Sequence, residues 1–230
     1  MSQLIDNLNI IESVKTDIKT AIENKGVDMT GVSFPGYAIK IGEISGGGGW
    51  DQKSLTEGVA KIINLDNSAS FVASNAFMDN NTIQTVNLSY ATSVGNDAFV
   101  QCITLKQVSL PVCSYIGKSA FAFCQNLNQI SLPVCSYIND RTFYYCNALK
   151  QVSLPVCSYI GNDAFWNCYR LSIITIGYSS VCSLYNSNVF EETKITSSTG
   201  SIYVPTSLVD AYKSAENWSY FSTQIFPISE

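Results

Sequence analysis

Seven of the eight cysteines, Cys102, Cys113, Cys124, Cys135, Cys146, Cys157 and Cys168, are spaced by 11 residues. Sulfur at this density raises three chemistries: zinc binding, thiolate catalysis and disulfide bonding. Zinc sites need paired ligands at spacings such as C-x2-C, and none occurs here. The chain contains no histidine, which removes the usual base for a nucleophile and the usual neutral metal ligand. An apolar setting also raises a thiol's pKa and lowers its reactivity. No P-loop, nucleophile elbow or H-E-x-x-H is present, and Glu191, Glu192, Asp97, Asp140 and Asp163 read as solvated acids rather than a glycosidase pair. The chain is therefore expected to be non-enzymatic, with no catalytic residue, no metal and no cofactor.

The spacing of 11 is half of a longer period. The string Leu-Pro-Val-Cys-Ser-Tyr-Ile occurs at Leu110 to Ile116, Leu132 to Ile138 and Leu154 to Ile160, a repeat of 22 residues. Ala120-Phe121, Thr142-Phe143 and Ala164-Phe165 follow each copy in phase. A fixed period of this length marks a solenoid, whose coils bury their apolar faces only against their neighbours. The cysteines then form two columns, one on each side of the coil. Rungs about 4.8 Å apart bring column neighbours within the ~4.4–6.8 Å Cα range of a disulfide. Stacked side chains point in parallel, however, and a buried free cysteine behaves as a small hydrophobe, so reduced core packing is the expectation.

Counting by 22 extends the array. Phe99 leads back to Phe77 and Val94 to Val72, so a degenerate first coil covers about residues 71–90, and the strand-like stretch from Val59 to Leu65 precedes it. Counting forward from Phe165, the next phenylalanine is Phe190 rather than residue 187, an insertion of about three residues. The end of the chain reads as a strand from Ser201 to Pro205 and then a helix N-capped by Thr206 or Ser207. That helix would lay Leu208, Ala211 and Tyr212 on the last coil, with Trp218, Phe221 and Phe226 closing the edge.

Before the array, apolar residues at Leu4, Leu8, Ile11, Val14, Ile18 and Ile22 predict an amphipathic helix. Leu4, Leu8, Ile11, Ile18 and Ile22 also fit a heptad seam, with Lys15 at one position. Self-association through this helix and folding back on the same subunit both satisfy the pattern. The glycine tract at residues 45–49 reads as a linker. The expected organisation is thus an N-terminal helical attachment or oligomerisation segment at 1–44, a linker at 45–49, a repeat array at 50–200 and a cap at 201–230.

The unit from Ile116 to Pro133, with Gly117, Ala120, Phe121, Cys124, Leu127, Ile130 and Leu132 in place, resembles the BspA-type leucine-rich repeat, whose pattern is roughly IGxxAFxxCxxLxxVxLP. Asn139 departs from it at the turn glycine, Thr142 at the alanine and Asn80 at the cysteine. The resemblance implies an α/β solenoid with short parallel strands on one face and irregular turns on the other, between an N-terminal helix and a C-terminal helical cap. It also implies a bacterial surface or secreted adhesin. Residues 18–27, IKTAIENKGV, with Phe34-Pro35-Gly36-Tyr37 and the run from Ile39 to Ile44, resemble the attachment segment of bacteriophage tail and fibre proteins.

Charge narrows the partners. Only 13% of residues are charged and the net charge is −5, with no basic run, so neither nucleic acid nor an anionic membrane is expected. The N-terminus has no basic region followed by an apolar core and does not read as a secretory signal. A phage structural protein reconciles an adhesin-like array with that reading, since virions escape by lysis. The expected setting is a virion tail if phage-encoded, and otherwise the bacterial cell surface or cytoplasm. Expected partners are a protein or glycan on a cell surface, other virion proteins, and further copies of the chain in a trimer.

Positions that vary between copies are released from packing duty. After each Ala-Phe or Thr-Phe pair the chain reads Val100-Gln101, Ala122-Phe123, Tyr144-Tyr145 and Trp166-Asn167. Phe123, Tyr144, Tyr145 and Trp166 are therefore candidate ligand contacts, an aromatic stripe suited to sugar or protein, unless they pack into the turn layer. A second candidate is the polar ladder of Gln107, Gln129 and Gln151 with Ser109, Ser131 and Ser153, edged by Lys106 and Lys150. Tyr115, Tyr137 and Tyr159 form either an outer ladder or half-buried packing.

Overall fold

The computed structural model describes residues 62–64 and 71–228. The expected N-terminal helix, its seam residues Leu4, Leu8, Ile11, Ile18 and Ile22, the linker at 45–49 and the phage-like stretch at 18–44 lie outside the described residues.

Each regular coil carries two strands. The longer ones are β1 (Ile62–Asn64), β3 (Thr85–Asn87), β5 (Gln107–Ser109), β7 (Gln129–Ser131), β9 (Gln151–Leu154), β11 (Ile173–Ile176) and β13 (Ser201–Val204). Alternating with them are two-residue strands: β2 (Phe71–Val72), β4 (Ser93–Val94), β6 (Tyr115–Ile116), β8 (Tyr137–Ile138), β10 (Tyr159–Ile160) and β12 (Ser183–Leu184). All pair in parallel, the second set as a six-stranded sheet in the order β12-β10-β8-β6-β4-β2. Strands thus line two faces of the stack, not one as expected. The Leu-Pro turn reverses the chain, and the Tyr-Ile pair after it is extended enough to find its counterpart one coil away.

The longer strands do not form one sheet. They divide into β1-β3-β5-β7 and, with β14 (Ile225–Pro227), β14-β13-β11-β9. Asn128 and Gln129 donate to the Lys106 carbonyl, and Ser172 and Ile173 to that of Lys150. Among the described residues, the corresponding bonds from Lys150 and Gln151 to Asn128 are not formed. Ile130 at this break is half-buried, whereas Val86, Val108, Val152 and Ile174 in the same column are buried.

The turn between the short and the long strand is also laddered. Asp97, Phe99 and Gln101 donate to the carbonyls of Lys118, Ala120 and Ala122 in the next coil, while Val100 and Cys102 bond back within their own turn. This alternation needs two left-handed residues per coil: Asp97 and Gln101, Ser119 and Phe123, Arg141 and Tyr145, Asp163 and Asn167. It consumes the backbone polar groups that a buried turn would otherwise strand.

Inside, Phe77, Phe99, Phe121, Phe143, Phe165 and Phe190 form a continuous stack with centroids 5.0 to 5.8 Å apart. Burying such a ring contributes roughly 1.5–3 kcal/mol, and here each ring's cover is the ring of the next coil. Phe190 completes the stack despite the insertion, as expected, and the offset grows until Ile173 pairs with Ser201, six places beyond the 22-residue register. Thr142 is buried in the alanine column and its hydroxyl donates to the Asn139 carbonyl at 2.8 Å. Asn139 in turn donates through Nδ2 to the Ile116 carbonyl at 2.7 Å. The two departures from the pattern therefore support each other.

All eight cysteines are buried free thiols. In one column Cys102, Cys124, Cys146 and Cys168 donate to the carbonyls of Phe77, Phe99, Phe121 and Phe143 at 3.0–3.1 Å. In the other, Cys113, Cys135 and Cys157 donate to the carbonyls of Tyr115, Tyr137 and Tyr159.

At the C-terminal end a 3-10 turn at Thr206–Leu208 leads into the six-residue helix α1 (Val209–Ser214), with no side-chain N-cap from Thr206 or Ser207. Tyr212, Trp218 and Phe221 are buried against Phe190 and one another. Ala211 and Phe226, expected in that layer, are exposed, because the chain turns after Ser214 and adds β14 alongside β13. The Tyr212 hydroxyl accepts from the Cys182 amide and Trp218 Nε1 donates to the Cys182 carbonyl. These bonds satisfy the backbone N–H and carbonyl of Cys182 in the irregular last coil.

Candidate binding surface

Phe123, Tyr144, Tyr145 and Trp166 come together. Phe123 and Tyr145 stack at 5.1 Å, Tyr144 and Trp166 stack at 5.1 Å, and Phe123 meets Tyr144 edge-on at 5.4 Å. All four are half-buried, so the patch is both part of the turn layer and accessible from outside. The Arg141 guanidinium lies 5.6 Å from the centre of the Tyr144 ring and is bonded to Asp163 at 3.3 Å. Sequence reasoning missed Arg141, although Ser119 and Asp163 at the equivalent positions showed that its column varies.

The backbone beneath the patch is informative. Phe123 and Tyr145 have φ of 61°, in the left-handed region. Every coil needs a left-handed residue there, and Gln101 and Asn167 supply it in the flanking coils. A left-handed L-residue costs about 1–2 kcal/mol, with asparagine and glycine the tolerant choices. Each aromatic pair returns about 0.5–1.5 kcal/mol, so the rings roughly offset the strain and leave little net stability. An aromatic residue at these positions adds contact surface more than it adds stability.

Gln107, Gln129 and Gln151 are exposed on the longer strands and line one groove of about 320 Å³ with Asn87, Asn128 and Ser131. They lie on a different segment of the coil from the aromatic patch. The tyrosine column is an outer ladder: Tyr115 and Tyr137 are exposed, and Tyr137 stacks on Tyr159 at 4.5 Å. Two of the acids read as solvated are paired between coils, Asp140 with Lys118 at 2.9 Å and Asp163 with Arg141. The hydrogen bond from Lys118 holds the Asp140 carboxyl below its ordinary pKa. Among the described residues, no cluster of three or more histidine, cysteine or acidic side chains could hold a metal ion.

A family model described as the BspA type leucine rich repeat region, in six copies, matches residues 57–133 and 92–215. No curated protein matches the chain in sequence. Among solved structures, a leucine rich cell surface protein from Faecalibacterium prausnitzii is 21% identical with a TM-score of 0.32, covering 52% of this chain and 48% of its own. The pneumococcal vaccine antigen PcpA is 18% identical with a TM-score of 0.41, covering 64% and 41%. A leucine-rich repeat protein from Bacteroides ovatus is 16% identical with a TM-score of 0.33, covering 63% and 55%. The chain spans about half the length of these structures.

Proposed function

The chain belongs to the BspA-type leucine-rich repeat family, and from that premise we propose that it is a non-enzymatic binding protein that attaches to a protein or glycan on a cell surface through its repeat array. The observation that carries this reading is the aromatic patch. Phe123, Tyr144, Tyr145 and Trp166 gather on varied positions of an otherwise regular coil, two of them on left-handed backbone that disfavours them. Large, half-exposed rings are the side chains that dominate binding energy when a partner covers them. The buried thiols, each bonded to a carbonyl or raised in pKa by burial, support a packing role rather than a nucleophilic one.

The test uses fluorescently labelled full-length chain on cultured epithelial cells and on bacterial cells, read by flow cytometry. Tyr144→Ala with Trp166→Ala is expected to remove most of the binding, roughly tenfold or more for a centre of this kind, while the melting temperature confirms that the fold persists. Binding that is equal for the two proteins, or absent for the unaltered chain, contradicts the proposal.

A finer form places the chain on a phage tail, with residues 1–44 attaching it to the particle or joining three copies. Its support is the resemblance of residues 18–44 to tail and fibre proteins. A bacterial surface adhesin is the alternative setting, and the family membership suits either.

A further inference from the structure

The break between β7 and β9 coincides with a polar groove of about 500 Å³. Three cations, Lys106, Lys150 and Arg170, line it together with the amides of Asn126, Asn128, Gln129 and Gln151. Ala148 is the remaining lining residue, and none is acidic. In a chain of net charge −5 this is a local reversal of sign. Lys106 leans on Gln84 Oε1 at 3.2 Å, whereas Lys150 and Arg170 have no side-chain partner among the described residues. The floor adds peptide groups, since the Lys150 and Gln151 amides and the Asn128 carbonyl lack the inter-coil bonds that their counterparts form.

We propose that this groove binds a negatively charged saccharide, its carboxylate held by Arg170 and Lys150 and its hydroxyls by the surrounding amides and the open peptide groups of the break. The volume falls in the roughly 300–1,000 Å³ range of small-ligand sites. Arginine's planar fork matches a carboxylate in two parallel bonds. Asparagine and glutamine offer donors and acceptors together, as a polyhydroxyl ligand requires. An acidic peptide fits less well, because strand-like recognition relies on pockets for alternate side chains and this groove offers only Ala148 as an apolar wall. Within the repeat, the position of Arg170 reads Thr104, Asn126, Ala148 and Arg170 in successive coils, so it varies as freely as the aromatic column does.

The experiment is a calorimetric titration of the full-length chain with 3′-sialyllactose, lactose, a sulfated disaccharide and hexaglutamate at low salt. Sialyllactose is expected to bind at least tenfold more tightly than lactose. Arg170→Gln and Lys150→Gln are each expected to weaken it roughly tenfold, the value of one charge-assisted contact. Both residues are exposed, so the melting temperature is expected to stay unchanged. Tighter binding of the sulfated disaccharide than of sialyllactose overturns the assignment of a carboxylate. Equal affinity for sialyllactose and lactose overturns the proposal, as does preference for hexaglutamate or binding that survives the double variant. The groove and the aromatic patch fail separately: cell attachment lost in the Tyr144 and Trp166 variant with saccharide titration intact leaves the groove standing.

Discussion

At the scale of single residues, the cysteines carry the clearest lesson. Their even spacing suggests chemistry, and burial suppresses it in all of the evenly spaced set but Cys157, whose thiol the Cys182 side chain holds below its ordinary pKa. Burial pushes the thiols of Cys102, Cys135 and Cys168 up to about 12 and that of Cys113 up to about 11. Cys124 and Cys146, enclosed completely, are raised well above the ordinary value by the same desolvation. A thiol in the unfolded chain ionises near 8.5. Because the folded pKa is the higher one, this contribution to stability is fully present below about pH 8.5. It is lost as pH rises toward the folded values. The expected outcome is a melting temperature that is flat from pH 6 to 8 and declines by several degrees above pH 9. In the same preparation, Ellman's reagent at pH 8 should label all eight thiols in denaturant and none in the folded chain; rapid labelling of the folded chain would contradict the burial argument.

At the scale of the element, the coil is held by what stands directly above and below it. A Cβ on Gly117 would lie 2.6 Å from the Asn96 amide nitrogen and 2.6 Å from the Gly95 carbonyl carbon. These are backbone atoms and cannot swing aside. A Cβ on Gly177, beyond the regular turns, would meet Pro155 at 3.0–3.1 Å, which a small shift relieves. Gly117→Ala is therefore expected to cost about 1–3 kcal/mol, the range of overpacking, and Gly177→Ala distinctly less, both by urea unfolding. Equal costs would mean that the turns are not in close register. The sequence pattern marked Gly117 as a turn glycine, but the reason for it is inter-coil contact. The C-terminal helix shows the complementary failure. The apolar spacing of Leu208, Ala211 and Tyr212 suggested a helix that lays all three on the last coil, whereas the observed helix ends at Ser214, anchors Tyr212 to Cys182 and leaves Ala211 outside.

At the scale of the molecule, stability is a sum of neighbour contacts passed along the phenylalanine stack from Phe77 to Phe190 and closed by Trp218 and Phe221. Binding by such an array depends on how many copies act together, since linked copies raise avidity without any new contact. The heptad-like residues Leu4, Leu8, Ile11, Ile18 and Ile22 make association through 1–44 the testable point. In the fibre form of the proposal, mass measurement in solution is expected to give a trimer for the full chain and a monomer once residues 1–44 are removed. A monomer in both cases overturns that form and leaves the adhesin setting.

The repeat architecture, the two cysteine columns, the phenylalanine stack and even the insertion before Phe190 were legible in the sequence alone. In a stack of coils, identical side chains cover identical neighbours, so periodicity in sequence is periodicity in packing. The second line of strands was not legible, because two residues such as Tyr115 and Ile116 carry too short a pattern to mark a strand until a partner one coil away supplies the hydrogen bonds. Nor was the break between β7 and β9: Ile130 differs little from Val108 or Ile174, and a lost pairing depends on displacements too small for residue types to record. The aromatic residues could be chosen by their variation between coils, and the turn that bonds the Tyr144 amide to the Arg141 carbonyl sets the guanidinium against the ring locally, but only the tertiary structure gathered Lys106, Lys150 and Arg170 around one groove. Lys106, Lys150 and Arg170 lie 20 or more positions apart in the chain, and the stacking of successive coils is what makes them neighbours.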